Sequence, residues 1–145
     1  MRIALLTPDV TPGYGWATYA LDLGQALAAQ GVEVVALTQP DPKLPPDGDW
    51  LADVRPALPK LVPPGRGFLA RLALALPRAR RAARDCDLLH VVAEPYAPLA
   101  AWIAGRRPLV VTAHGTYVPQ TARRRGVGRL YRHAYRRAHL VACLL

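Results

Sequence analysis

Long hydrophobic runs, lysine, cysteine and aromatic residues are all scarce in this chain. No apolar stretch reaches the ~18 residues that cross a bilayer as a helix. The opening Met1-Arg2-Ile3-Ala4-Leu5-Leu6 is too short in apolar residues for a signal peptide. The expected location is therefore cytoplasmic, with peripheral contact at the inner membrane face left open. Only two cysteines occur, Cys86 and Cys143, and their wide spacing fits neither a metal site nor a redox pair. Both sit at or in apolar segments and are expected to be buried free thiols. No metal site is expected. No Gly-Lys-Ser/Thr follows the glycine-containing loop near the N-terminus, which excludes a P-loop. No pair of carboxylates supports a two-acid hydrolase.

What is present is apolar and basic. Of 145 residues, 52% are hydrophobic, enough for one domain with a sizeable core. The net charge of +9 is unevenly placed. Residues 1–60 carry four basic and seven acidic groups, whereas residues 61–145 carry fifteen arginines and three acids. A basic half predicts an anionic partner: phosphate ester, anionic lipid or nucleic acid. A genome rich in G and C would also favour arginine over lysine.

Apolar runs alternate with helical periodicity. Arg2–Thr7 reads as a strand ended by Pro8. Thr18–Gln30 repeats Tyr19, Leu23, Ala26 and Leu27 at helical spacing, and Gly31 stops it. Val32–Thr38 is a second buried strand. These first residues form a βαβ unit with parallel strands. Gln39–Pro64 is a Pro-rich loop with a short strand at Asp53–Arg55. Phe68–Arg84 has Phe68, Leu69, Leu72 and Leu76 on one arc, with Arg71, Arg78, Arg81 and Arg84 away from it. Pro77 is expected to kink or divide this helix. Strands at Asp87–Val92, Leu109–Ala113 and His139–Leu145 alternate with helices at Pro98–Ala104 and Ala122–Arg137. The pattern predicts an α/β fold, a doubly wound, Rossmann-like parallel sheet with helices on both faces. Leu140–Leu145 reads as a core strand with nothing polar after it, so the chain is expected to be a fragment of a longer protein.

Candidate functional residues gather at the expected carboxyl ends of the strands, where open α/β sheets bind ligands. Gly13 and Gly15 precede the first helix, whose unpaired amides and partial positive charge favour phosphate. Thr18 stands at the third position of a dinucleotide fingerprint, and Thr38-Gln39 replaces the acid expected after the second strand, which counts against an oxidoreductase. A simple turn at Pro12-Gly13 explains the same glycines. Thr7, His90, Glu94 and His114 each lie at or just beyond a strand end, with Asp9, Tyr14, Tyr96, Gly115 and Thr116 beside them.

In this order the motifs resemble the N-terminal half of the family 4 group of retaining GT-B glycosyltransferases. The matching stretches are "MRIALLTPDVTPGYGWATYALDLGQALAAQGVEVVALT", "DLLHVVAEPYAP", "PLVVTAHGTY" and "RLYRHAYRRAHLVACLL". They cover the chain apart from the Pro-rich loop. Two positions depart from the family pattern: Val92 replaces the second histidine of His-x-His, and Tyr14 separates the glycines. The resemblance implies residues 1–145 as an acceptor-side Rossmann-like domain whose donor-binding C-terminal partner is absent from the sequence. It implies sugar transfer with retention from a nucleotide-sugar, which serves as substrate, without a cofactor. Gly13 and Gly15 would approach the donor diphosphate or the acceptor. His114 would contact the transferred sugar near the reacting carbon. Asp9, Tyr14, His90, Glu94, Tyr96, Gly115 and Thr116 would line the substrate side. The acceptor would be a sugar, a lipid-linked group or another molecule, with nucleic acid disfavoured; residues 68–84 are a membrane-contact candidate, but a sheet-covering helix with a solvated charged face is the favoured reading of them. The competing reading is a non-catalytic basic α/β module that binds anionic membrane or nucleic acid.

Overall fold

A computed structural model describes residues 1–61, 66–115, 123 and 125–144. Strand β1 (Arg2–Leu6) leads into α1 (Gly15–Ala29), followed by β2 (Glu33–Thr38) and β3 (Leu51–Pro56). Then come α2 (Arg66–Ala82), β4 (Leu88–Val91), a 3-10 turn (Glu94–Tyr96) and α3 (Ala97–Ala104). The chain continues through β5 (Leu109–Ala113), α4 (Val127–Arg137) and β6 (Leu140–Cys143). The strands form one parallel sheet in the order β3-β2-β1-β4-β5-β6. This is the doubly wound order, and it reverses direction between β1 and β4. A crevice is therefore expected where those two strands end.

The near-continuous apolar strands follow from burial on both faces. Along β1, Ile3 and Leu5 pack in the cluster under α1, while Ala4 and Leu6 pack in the opposite cluster under α2, α3 and α4. Helix α1 turns Ala17, Ala20 and Gly24 inward. A Cβ at Gly24 would stand 2.2 Å from Cζ3 of Trp50, so the absent side chain makes room for the indole. That contact explains a mid-helix glycine, which otherwise costs about 1 kcal/mol.

Three sequence expectations change. Pro77 does not divide α2, which runs unbroken from Arg66 to Ala82. Its missing N–H would have bonded the carbonyl of Ala73, which is exposed and accessible to water. The β6 segment is not a buried core strand: Leu140 is 58% exposed, because β6 is an edge strand with β5 as its neighbour. For the same reason Cys143 is exposed, and only Cys86 is a buried thiol.

Several arginines have structural work. Arg55 donates to the carbonyl of Ala82 at the end of α2 and grips Asp85 with two bonds of 2.5 and 2.9 Å. Arg107 donates to the carbonyls of Ile103 and Ala104 at the end of α3 and to that of Ala83 after α2. Arg137 reaches the Gly105 carbonyl. Cations at helix C-termini satisfy orphan carbonyls and oppose the helix dipole. Part of the basic excess is therefore internal architecture.

Candidate functional site

The candidate site lies at the switch point between β1 and β4. The Leu6 carbonyl accepts the amides of both Val92 and Ala93, at 3.1 and 3.2 Å, as β1 and β4 end side by side. The loop after β1 is anchored by Asp9, which is 4% exposed. Its carboxylate accepts the Lys43 amide at 2.7 Å, the Gln39 side-chain amide at 3.3 Å and the Tyr14 hydroxyl. Asp9 thus ties the glycine loop to the segment after β2, and its acceptor capacity is spent on the protein. The Tyr14 hydroxyl is pushed above its ordinary pKa by burial and by Asp9.

Tyr14 occupies the N-cap position of α1 without a side-chain cap, and no acid lies in the first helical turn. Gly13 has φ +143°, a conformation that favours glycine. Its N–H donates to Thr18 Oγ1 at 3.2 Å, so Thr18 closes the loop. A Cβ on Gly15, the first residue of α1, would meet nothing within 4 Å. The N-terminus of α1 carries a partial positive charge and no side-chain cap.

His114 lies beside that helix start. Its ring packs edge-on against Tyr19, with centroids 5.4 Å apart, and against Trp16 at 6.4 Å. Nε2 is 3.1 Å from the Val92 carbonyl. A carbonyl only accepts, so Nε2 carries the proton and the neutral ring offers Nδ1 as an acceptor. Burial lowers the His114 pKa, against the opposing pull of the Val92 hydrogen bond. The His114 amide donates to Glu94 Oε1 at 2.8 Å. Glu94 is fully buried, and its Oε2 has no donor among the described residues. Burial raises the Glu94 pKa to about 7, although the His114 amide opposes the shift.

One candidate is placed differently from the expectation. Tyr96 does not reach the rim: it is fully buried, donates to the Pro59 carbonyl at 2.8 Å and packs beside Phe68. The turn residue before α3 points into the layer beneath that helix. His90 lies within β4, where Nε2 meets Thr112 Oγ1 at 2.8 Å, and burial lowers its pKa to about 4. Gly115 has φ +54° beside the Leu144 carbonyl. Thr116 lies outside the described residues. The sequence reading missed Trp16, Tyr19, Thr112, Gln39 and Lys43 as members of the site. Tyr19 carried a signal only as an apolar helix position, yet its ring meets His114 and its hydroxyl lies 3.5 Å from Thr112 Oγ1. Among the described residues no three His, Cys, Asp or Glu side chains gather as a metal site would need.

A sequence model described as Glycosyltransferase Family 4 matches residues 14–144. The chain belongs to this family. The match includes Tyr14, Gly15, Glu94 and His114, while Asp9 and Gly13 lie before it. No curated protein matches the sequence. Among solved structures, sucrose-phosphate synthase from Thermosynechococcus elongatus is similar at a TM-score of 0.69 and 20% identity, over 97% of this chain and 41% of that one. MurG of Acinetobacter baumannii gives 0.58 and 16%, over 99% and 41%. An alpha-glucosyltransferase in complex with UDP and a 13-mer DNA gives 0.59 and 20%, over 99% and 37%. The chain spans about two fifths of the length of these glycosyltransferases. Its fold is that of the N-terminal domain of GT-B enzymes.

Proposed function

We propose that this chain forms the acceptor-side half of a glycosyltransferase that moves a sugar from a nucleotide-sugar to an acceptor with retention. The observation that carries the reading is the His114 ring packed on Trp16 and Tyr19 of α1, next to the helix start at Gly15, which has no side-chain cap. As the glycosidic bond breaks, negative charge grows on the leaving diphosphate. The N-terminus of α1 at Gly15, with its partial positive charge and no side-chain cap, stabilises charge there. His114 Nδ1 accepts a hydroxyl of the transferred sugar and fixes its orientation. Glu94 holds the His114 backbone and does not touch the acceptor. Asp9 and Tyr14 shape the loop. The nucleotide is held by a second domain beyond these residues, and UDP, present in the alpha-glucosyltransferase complex, is the first donor nucleotide to try.

The test uses the full-length protein with a panel of nucleotide-sugars and follows the product's anomeric configuration by NMR. Product with the donor's configuration supports the reading. Turnover with inversion, or no turnover and no protection of His114 by any nucleotide-sugar, refutes it.

A further inference from the structure

We propose that Tyr19 is a specificity-determining residue for sugar transfer: its phenol and the His114 imidazole together bind one hydroxyl of the transferred sugar. This rests on the transfer reading above and names the residue that selects the sugar. The observation is a hydroxyl whose proton the fold does not use. Tyr14 donates to Asp9, Tyr96 to the Pro59 carbonyl and Tyr131 to the Pro95 carbonyl. Among the described residues the Tyr19 hydroxyl has only Thr112 Oγ1, 3.5 Å away, beyond the length of a good O–H···O bond. Thr112 has a closer partner in His90 Nε2, at 2.8 Å.

The helix carries this hydroxyl to the site. Along α1, Trp16, Tyr19, Ala20, Leu23 and Leu27 pack in the cluster on one face of the sheet. Helical side chains lean toward the N-terminus of their helix, which in a βαβ crossover lies at the carboxyl ends of the strands. The partly buried Tyr19 ring therefore rises from an apolar seat toward Thr112 and His114 at the end of β5. Gly15 stands four positions earlier, on the same side of the helix. It has no side chain to stand in the way, and a Cβ there would meet nothing within 4 Å.

The pair has a defined chemical preference. Tyr19 offers a proton. His114 offers a lone pair on Nδ1, because Nε2 holds its proton toward the Val92 carbonyl and burial lowers the ring's pKa. The two rings lie edge to face, with centroids 5.4 Å apart and planes at 86°. A hydroxyl both donates and accepts, so a single sugar hydroxyl satisfies both groups. A carboxylate can only accept, and a deoxy carbon does neither. The site therefore selects a sugar that is hydroxylated at one position.

The experiment measures kcat/KM of the full-length enzyme with the nucleotide-sugar it turns over fastest and with that donor's monodeoxy analogues, one for each sugar hydroxyl. With one analogue the wild type should lose about 10²-fold, because two hydrogen bonds go at once. Tyr19→Phe keeps the ring against His114 and removes only the hydroxyl. It should lose about tenfold with the parent donor, the scale of one hydrogen bond, and nothing with that analogue. His114→Ala should likewise cost less with that analogue than with the parent. Equal losses by Tyr19→Phe on the parent and on every analogue would show a ring that only fills space, and would overturn the proposal. So would full activity of Tyr19→Phe on the parent, or a different analogue singled out by Tyr19→Phe than by His114→Ala. These outcomes leave the transfer reading standing, whereas a wild type that turns over no donor refutes that reading and this assignment with it.

Discussion

The backbone N–H of His114 donates to Oε1 of Glu94, 2.8 Å away, and so joins the turn after β5 to the turn after β4. Glu94 is fully buried, with a pKa raised from 4.5 to about 7 by burial. A carboxyl whose folded pKa is raised binds more protons in the folded state. Its stabilising effect is complete below pH 4.5 and is lost as pH rises to about 7, by about 3 kcal/mol. Glu94→Gln keeps an acceptor for the His114 amide and removes this dependence. Urea unfolding across pH should show the wild type losing stability relative to Glu94→Gln as pH rises from 4.5 to about 7.

His90 works in the opposite direction. Burial lowers its pKa from 6.5 to about 4, so its stabilising effect is complete above pH 6.5 and is lost as pH falls to about 4. The two windows overlap, so wild-type stability should change little between about pH 4.5 and 6.5. Glu94→Gln should unmask the acid-side loss, and His90→Asn should unmask the alkaline-side loss. Two parallel unfolding series decide this, and identical curves for both variants would contradict it.

Gly24→Ala places a methyl group 2.2 Å from Trp50 Cζ3. Helix propensity alone would stabilise the variant by about 1 kcal/mol. Overpacking of this kind instead costs about 1–3 kcal/mol, so the net expectation is a lower melting temperature. Trp50→Leu in the same chain should relieve the clash and make the alanine neutral or favourable. Thermal melts of the two single variants and the double variant measure the coupling.

Loss of His114 tests the proposed chemistry. In the full-length enzyme, His114→Ala should lower kcat by about 10²–10³, the scale of one transition-state hydrogen-bonding group. His114→Gln retains an acceptor and should recover part of the loss. A fall in stability large enough to explain the loss of rate would show instead that the ring serves only to fill the space against Trp16 and Tyr19.

Local periodicity in the sequence determined the element order, the parallel doubly wound sheet and the position of the cleft, because continuous apolar runs require burial on both faces. The family pattern further marked the glycine loop, Glu94 and His114. Tertiary structure decided which way each of those residues faces. Tyr96 and Glu94 stand two apart in one short turn, yet one bonds Pro59 and the other the His114 amide. No periodic rule covers such a turn, since its side chains are oriented by whichever strand and helix the crossovers bring alongside. Long-range packing likewise drew Arg55, Arg107 and Arg137 onto helix ends and left Leu74 facing water. Spacing along the chain records a residue's own element, whereas burial depends on partners that the sequence places tens of residues away.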